Sequence, residues 1–125
     1  MKILILDDMW ERHDGFAVRY AGHEIIKAFN VKDAIELLDT HKDFDLIHLD
    51  HSLQDYEHFP PEENKKPRER TGMEVVDYIL HIGYPISAEM IVHSWDPDPA
   101  RMMTYRLGKA GYKTKKEPYK ASSNV

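Results

Sequence analysis

Apolar positions along this chain fall into short aliphatic runs separated by amphipathic stretches. Residues 2–6 form an unbroken run, Lys-Ile-Leu-Ile-Leu, the pattern of a strand buried on both faces of a parallel sheet. The run stops at Asp7-Asp8. A first helix is predicted over about residues 9–21, with Phe16, Val18 and Tyr20 among its apolar positions. Gly22 supplies the stop, because glycine tolerates the left-handed conformation that ends helices. Residues 23–28 read as a second strand, and Asn30 as the N-cap of a helix carrying Ala34, Ile35, Leu37 and Leu38. Residues 45–49 are a third buried strand, ending at Asp50-His51. Residues 53–70, rich in Pro, Glu, Lys and Arg, predict a long loop, after which Gly72 precedes an amphipathic helix with Val75, Val76, Tyr78, Ile79 and Leu80. Residues 89–92 are a fourth strand ending at His93-Ser94. Asp96-Pro97 opens a helix to about residue 107, proline being suited to a first helical position. Residues 112–115 make a short last strand, and the polar remainder leaves a final helix short or absent.

Strands alternating with helices imply right-handed crossovers and a parallel sheet covered on both faces. The expected fold is α/β: one doubly wound five-strand parallel sheet, as a single domain over residues 1–118 with a polar tail at 119–125. The chain has no apolar stretch of about 18 residues, so a soluble, cytoplasmic protein without membrane contact is expected, as a monomer or weak dimer. It has no cysteine, which leaves oxygen and imidazole as its only strong metal ligands. A formal charge of −5 argues against indiscriminate coating of nucleic acid. Residues 101–116 nevertheless carry six cations and no acid, either a rim for a phosphate-bearing ligand or an ordinary solvated face.

In an open α/β sheet ligands bind beyond the carboxyl ends of the strands, near the point where strand order reverses. With order 2-1-3-4-5, the first, third and fourth strands are neighbours. Their ends, Asp7-Asp8, Asp50-His51 and His93-Ser94, then converge on one pocket.

Asp7-Asp8, Leu49-Asp50 and Thr71-Gly72 resemble the motifs of a response-regulator receiver domain, whose sheet is flavodoxin-like. Leu6-Asp7-Asp8, Arg12-His13, Gly22-His23-Glu24, Leu49-Asp50-His51-Ser52-Leu53 and Val92-His93-Ser94 resemble its divergent branch, the cyclic-phosphate processing receiver domain. The likeness spans roughly residues 2–118. Ordinary receivers end strand four in Ser or Thr, and carry Lys directly before Pro after strand five. Here His93 precedes Ser94, and the later segment reads Lys115-Lys116-Glu117-Pro118. The resemblance therefore implies altered phosphate chemistry instead of a conventional signalling switch.

Clustered carboxylates repel unless a cation neutralises them, so Asp7, Asp8 and Asp50 are the expected ligands of Mg²⁺ or Mn²⁺, with Zn²⁺ an alternative. The competing reading has Asp7 and Asp50 as caps. His51 and His93 suit acid and base roles in opening a cyclic phosphate, because imidazole titrates near neutrality; metal ligation and plain packing are the alternatives. Asp50 is a catalytic candidate and, in a signalling reading, the phosphoacceptor. Ser94 and Arg101 are phosphate-binding candidates, Arg101 one turn into its helix. His13 is placed near the pocket, His41, His58 and His81 on the surface, and Trp95 as a roof over the core or a stacking surface, with roofing favoured. Lys65, Lys66, Arg68 and Arg70 suggest a basic lid or simply a solvated loop. The expected activity is metal-dependent hydrolysis of a cyclic phosphate on a nucleotide or RNA end. A phosphoacceptor receiver and a non-catalytic binding module are the rivals.

Overall fold

The computed structural model describes residues 1–56 and 68–120. The elements run β1 (Lys2–Leu6), α1 (Trp10–Arg19), β2 (Glu24–Ala28), α2 (Val31–Thr40), β3 (Leu46–Leu49), β4 (Ser52–Tyr56), β5 (Glu69–Thr71), α3 (Gly72–Ile82), β6 (Glu89–Val92), α4 (Pro97–Lys109) and β7 (Thr114–Lys116). Five strands form a parallel sheet in the order β2-β1-β3-β6-β7. This is the expected 2-1-3-4-5 order, with a separate hairpin inserted after β3.

Side chains alternate across a strand, and the core divides accordingly. Leu4 and Leu6 point to one face, beneath α2, α3 and α4, through Leu38, Val75, Ile79, Met103 and Leu107. Ile3 and Ile5 point to the other, where they meet Phe16 of α1. Among the described residues no helix follows β7. Instead Glu117 N–H bonds the Val92 carbonyl and Tyr119 N–H bonds the His93 carbonyl, at 2.9 and 3.0 Å. This lays the Tyr119 ring against Phe16, centroids 5.1 Å apart.

The parallel register levels the strand ends. Leu6 pairs with Leu49, and Leu49 with Val92. The ladder continues one step further, with Asp50 N–H on the Leu6 carbonyl (3.1 Å) and His93 N–H on the Leu49 carbonyl (3.0 Å). Asp7, Asp50 and His93 thus leave the sheet side by side.

The segment expected as loop from residue 53 to 70 begins and ends in strand. β4 and β5 pair antiparallel, with a register shift between Ser52 and Asp55. Two anchors hold β4. Leu53 is buried in the core, and the Asp55 carboxylate accepts the Val31 N–H at the start of α2, at 3.1 Å, where the helix presents unpaired donors. The proposed lid residues Lys65 and Lys66, their acidic neighbours Glu62 and Glu63, and His58 lie outside the described residues. Arg70 forms a two-bond pair with Glu74, at 3.0 and 2.9 Å.

Gly72 explains the Thr71-Gly72 motif. A Cβ there would overlap the Asp50 carbonyl oxygen and press on Met103. The Gly72 N–H bonds the His51 carbonyl at 2.8 Å, and the Thr71 hydroxyl caps α3 through the Met73 N–H. Only glycine lets α3 start this close to the strand end.

Candidate functional site

Asp7 is fully buried at the end of β1. Its Oδ1 accepts the Met9 N–H at 2.9 Å, and its Oδ2 accepts the His93 Nε2–H at 2.8 Å. Burial works to raise its pKa, but the His93 hydrogen bond, the Met9 amide and the neighbouring positive charges outweigh burial and hold the carboxyl below its usual value. Asp50 receives less help. Its Oδ1 accepts the His51 N–H at 2.9 Å, and burial first, then the charge of Asp7, push it up to about 6. Arg12 stands between the two acids, its Nη1 at 3.4 Å from Asp7 Oδ2 and 3.4 Å from Asp50 Oδ2.

Asp7, Asp50 and His93 each present a ligand atom, all within 4.8 Å of one another. In the described residues this is the trio that converges, and it differs from the expected Asp7, Asp8 and Asp50. The chain turns after Asp7, so Asp8 faces the adjoining cavity, while His93 reaches Asp7 from the end of β6, across the end of β3 that lies between them. Burial raises the Asp8 carboxyl, reinforced by the charge of Asp7.

The cavity, of about 280 Å³, opens beside this cluster, with Asp8, Arg12 and Asp50 on one part of its wall and Ser94, Trp95 and Asp96 on another. The two histidines proposed for acid and base work do not line it. The His93 ring is buried behind Asp7 and packs on Phe16 and His48, centroids 5.0 and 5.6 Å away. His51 reaches Asp50 through its backbone, and its ring Nδ1 lies 3.5 Å from the Ser52 hydroxyl. Ser94 is at the wall, as expected. Arg101 is not: α4 turns Ala100 and Met103 to the core, which leaves Arg101 on the solvent face, paired with Asp98 at 3.3 Å. Trp95 does not roof the core, since 60% of it is exposed at the cavity.

Behind the site lie two more buried histidines. His13 Nε2–H bonds the Asp7 carbonyl at 2.8 Å, and burial lowers its pKa. His48, on β3, meets the Tyr20 hydroxyl at 2.7 Å, and burial, with the charges of His93 and Arg19, lowers it to about 2. His41, expected at the surface, is half-buried and lies 2.9 Å from Lys2 Nζ. Lys115 lies 3.8 Å from Glu117, whereas Arg12 from α1 is the cation that pairs with Asp50 among the described residues. Arg12 stands in the Arg12-His13 motif that carries the family resemblance, but no role at the pocket was expected of it. Its signal was spacing, since it follows Asp8 by one helical turn.

Solved structures share this fold at identities too low to carry function. A response regulator from Burkholderia pseudomallei, solved with a phosphorylated aspartic acid, a calcium ion and citrate, is 17% identical with a TM-score of 0.62 over 96% of this chain and 61% of that one. TrrA from Thermotoga maritima, in complex with Mg²⁺-BeF, is 18% identical with a TM-score of 0.62, over 99% and 91%. NtrX from Brucella abortus, with ADP, is 22% identical with a TM-score of 0.62, and this chain spans 23% of it. No curated protein matches the sequence. A family model matches residues 2–109, most of this five-strand domain: the chain belongs to the cyclic-phosphate processing receiver domain family.

Proposed function

We propose that this domain hydrolyses a cyclic phosphodiester, with a nucleotide or RNA end as the molecule that carries it, using a divalent cation. The observation that carries the reading is a cation between acids at an open wall: Arg12, held by Asp7 and Asp50, faces the cavity where a phosphate would enter. The family's description points the same way.

The residues present fit a metal. Two carboxylates and an imidazole converge, and burial, with the charge of Asp7, raises Asp50 to about 6, so a cation there would favour its ionised form. Asp7 and Asp50 would hold the ion, and His93 would join them by giving up the Nε2 proton that it now donates to Asp7. This mixed donor set suits Mn²⁺ or Zn²⁺ at least as well as Mg²⁺. When bound, the ion would stabilise charge on the phosphoryl oxygens. Arg12 binds the phosphate by its guanidinium fork, and the Ser94 hydroxyl faces the same space. Asp8 lies outside the ligand trio with a raised pKa, which suits proton exchange. Water adds to phosphorus as one ring P–O bond breaks. Asp8 accepts the water proton and returns it to the departing ring oxygen, leaving a phosphate monoester and a free hydroxyl. His93 orients Asp7 and does not touch substrate.

The test is incubation with 2′,3′-cyclic AMP and Mg²⁺, Mn²⁺ or Zn²⁺, with chromatography of the products. A single phosphate monoester, absent with chelator and with Arg12→Ala, is the expected result. A second reading, phosphoryl transfer to Asp50, draws on its place at the cavity wall at the end of β3. Acetyl phosphate in a parallel arm, with stable mass gain on Asp50 and no ring opening, would decide for it.

A further inference from the structure

Two residues of the cavity lining, Trp95 and Gln54, take no part in the phosphate chemistry. Trp95 is 60% exposed there. The other tryptophan, Trp10, is equally exposed but packs at a tilt on Phe29, centroids 4.5 Å apart, under Lys27; among the described residues no ring or cation packs on Trp95. Nor is Trp95 loosely placed. Ser94 before it is 3% exposed, and the Asp96 N–H after it bonds the Ser94 hydroxyl at 3.1 Å, so a tight turn fixes the backbone that carries the indole just before α4. The same cavity is lined by Gln54, with φ of 53°, a left-handed conformation that residues with a Cβ seldom adopt. It sits where the β4–β5 register shifts, and Leu53 in the core and Asp55 on α2 hold the strand on either side. Such irregularities re-aim side chains, and strain of this kind gathers at ligand sites.

We propose that Trp95 and Gln54 form a base subsite: the indole is the stacking platform, the Gln54 amide meets the base edge, and the ligand is a nucleoside cyclic phosphate with an unpaired base. The proposal rests on the phosphoester reading above for the phosphate end. An aromatic face serves any nucleobase, and an amide offers both a donor and an acceptor to the base edge. A cavity of about 280 Å³ is at the small end of ligand sites, so it takes one nucleotide, with any longer chain leaving through the open side.

Trp10→Phe leaves Trp95 as the sole tryptophan and lies off the cavity wall. In that protein, 2′,3′-cyclic AMP should quench the remaining fluorescence, whereas inorganic phosphate and glycerol 1,2-cyclic phosphate should not. Trp95→Ala should weaken kcat/KM, or binding by calorimetry, for 2′,3′-cyclic AMP roughly 10- to 100-fold more than for the base-free cyclic phosphate, and Trp95→Phe should recover most of the difference. Gln54→Ala should raise KM for the nucleotide more than it lowers kcat. Equal losses on both ligands in Trp95→Ala, or nucleotide binding without quenching, would overturn the base subsite while ring opening still stood. Quenching that depends on Trp95 with no ring opening under any metal would uphold the subsite and overturn the hydrolytic reading.

Discussion

Replacing Asp50 with Asn should stabilise this protein without metal and deprive it of stabilisation by metal. Burial moves the Asp50 carboxyl from 3.8 to about 6 in the folded chain. At roughly 1.4 kcal/mol per pH unit, keeping it ionised above pH 6 costs about 3 kcal/mol relative to the unfolded state. The sign follows from the raised value. The folded state holds the proton more tightly, so this stabilisation is complete below the unfolded pKa and is lost as pH rises through about 6. Asn carries no charge to desolvate, and its carbonyl still accepts the His51 N–H that now reaches Oδ1. At pH 7.5 with chelator, Asp50→Asn should therefore exceed wild type by up to about 3 kcal/mol, a shift in Tm on the order of 10 °C. Saturating Mn²⁺ should reverse the order. At a thousand times its Kd a cation adds about 4.1 kcal/mol to wild type, and much less to a variant lacking one of three ligands. The assay is urea unfolding at pH 7.5, with chelator and with Mn²⁺. A variant less stable than wild type in chelator would refute the burial argument, and equal gains from Mn²⁺ would remove Asp50 from the metal site.

Buried His48 acts in the opposite sense. Its folded pKa of about 2 lies below the unfolded value, so its neutral form supports the fold above about pH 6.5 and stability falls as pH drops below that, by about 2 kcal/mol at pH 5. Asp50 offsets this between pH 4 and 6, so the loss should emerge in Asp50→Asn and shrink when His48→Phe is added, as read by urea midpoints at pH 7 and 5. Gly72→Ala drives a methyl into the Asp50 carbonyl and should cost about 3 kcal/mol or more, seen as a lower Tm with or without metal. Arg12→Ala should reduce ring opening by about a hundredfold or more without weakening Mn²⁺ binding by calorimetry, since the guanidinium competes with a cation for the two carboxylates.

What the sequence disclosed about the site follows from how parallel strands and helices place residues. Aliphatic runs that stop abruptly at Asp7, Asp50 and His93 marked three strand ends, and level registers bring such ends together whatever the side chains do afterwards. Order and convergence were therefore legible. Direction beyond the strand end was not, because it depends on which neighbour each side chain meets. His93 turns inward because Asp7 accepts its Nε2–H and Phe16 packs its ring, and neither partner is near it in sequence. Arg101 fails to reach the pocket for a local reason, since Ala100 and Met103 had already claimed the inward face of α4. The hairpin was hidden by its interruption. β4 has one core residue, Leu53, and its placement relies on Asp55 capping a helix that begins 24 residues earlier. Arg12 completes the pattern: the helix after the first strand begins beside the acids, so a residue one turn in returns to the pocket. A cation at that spacing is a stronger sign of anion chemistry here than His93, because its chain geometry delivers it to the cavity wall while His93 is buried behind Asp7.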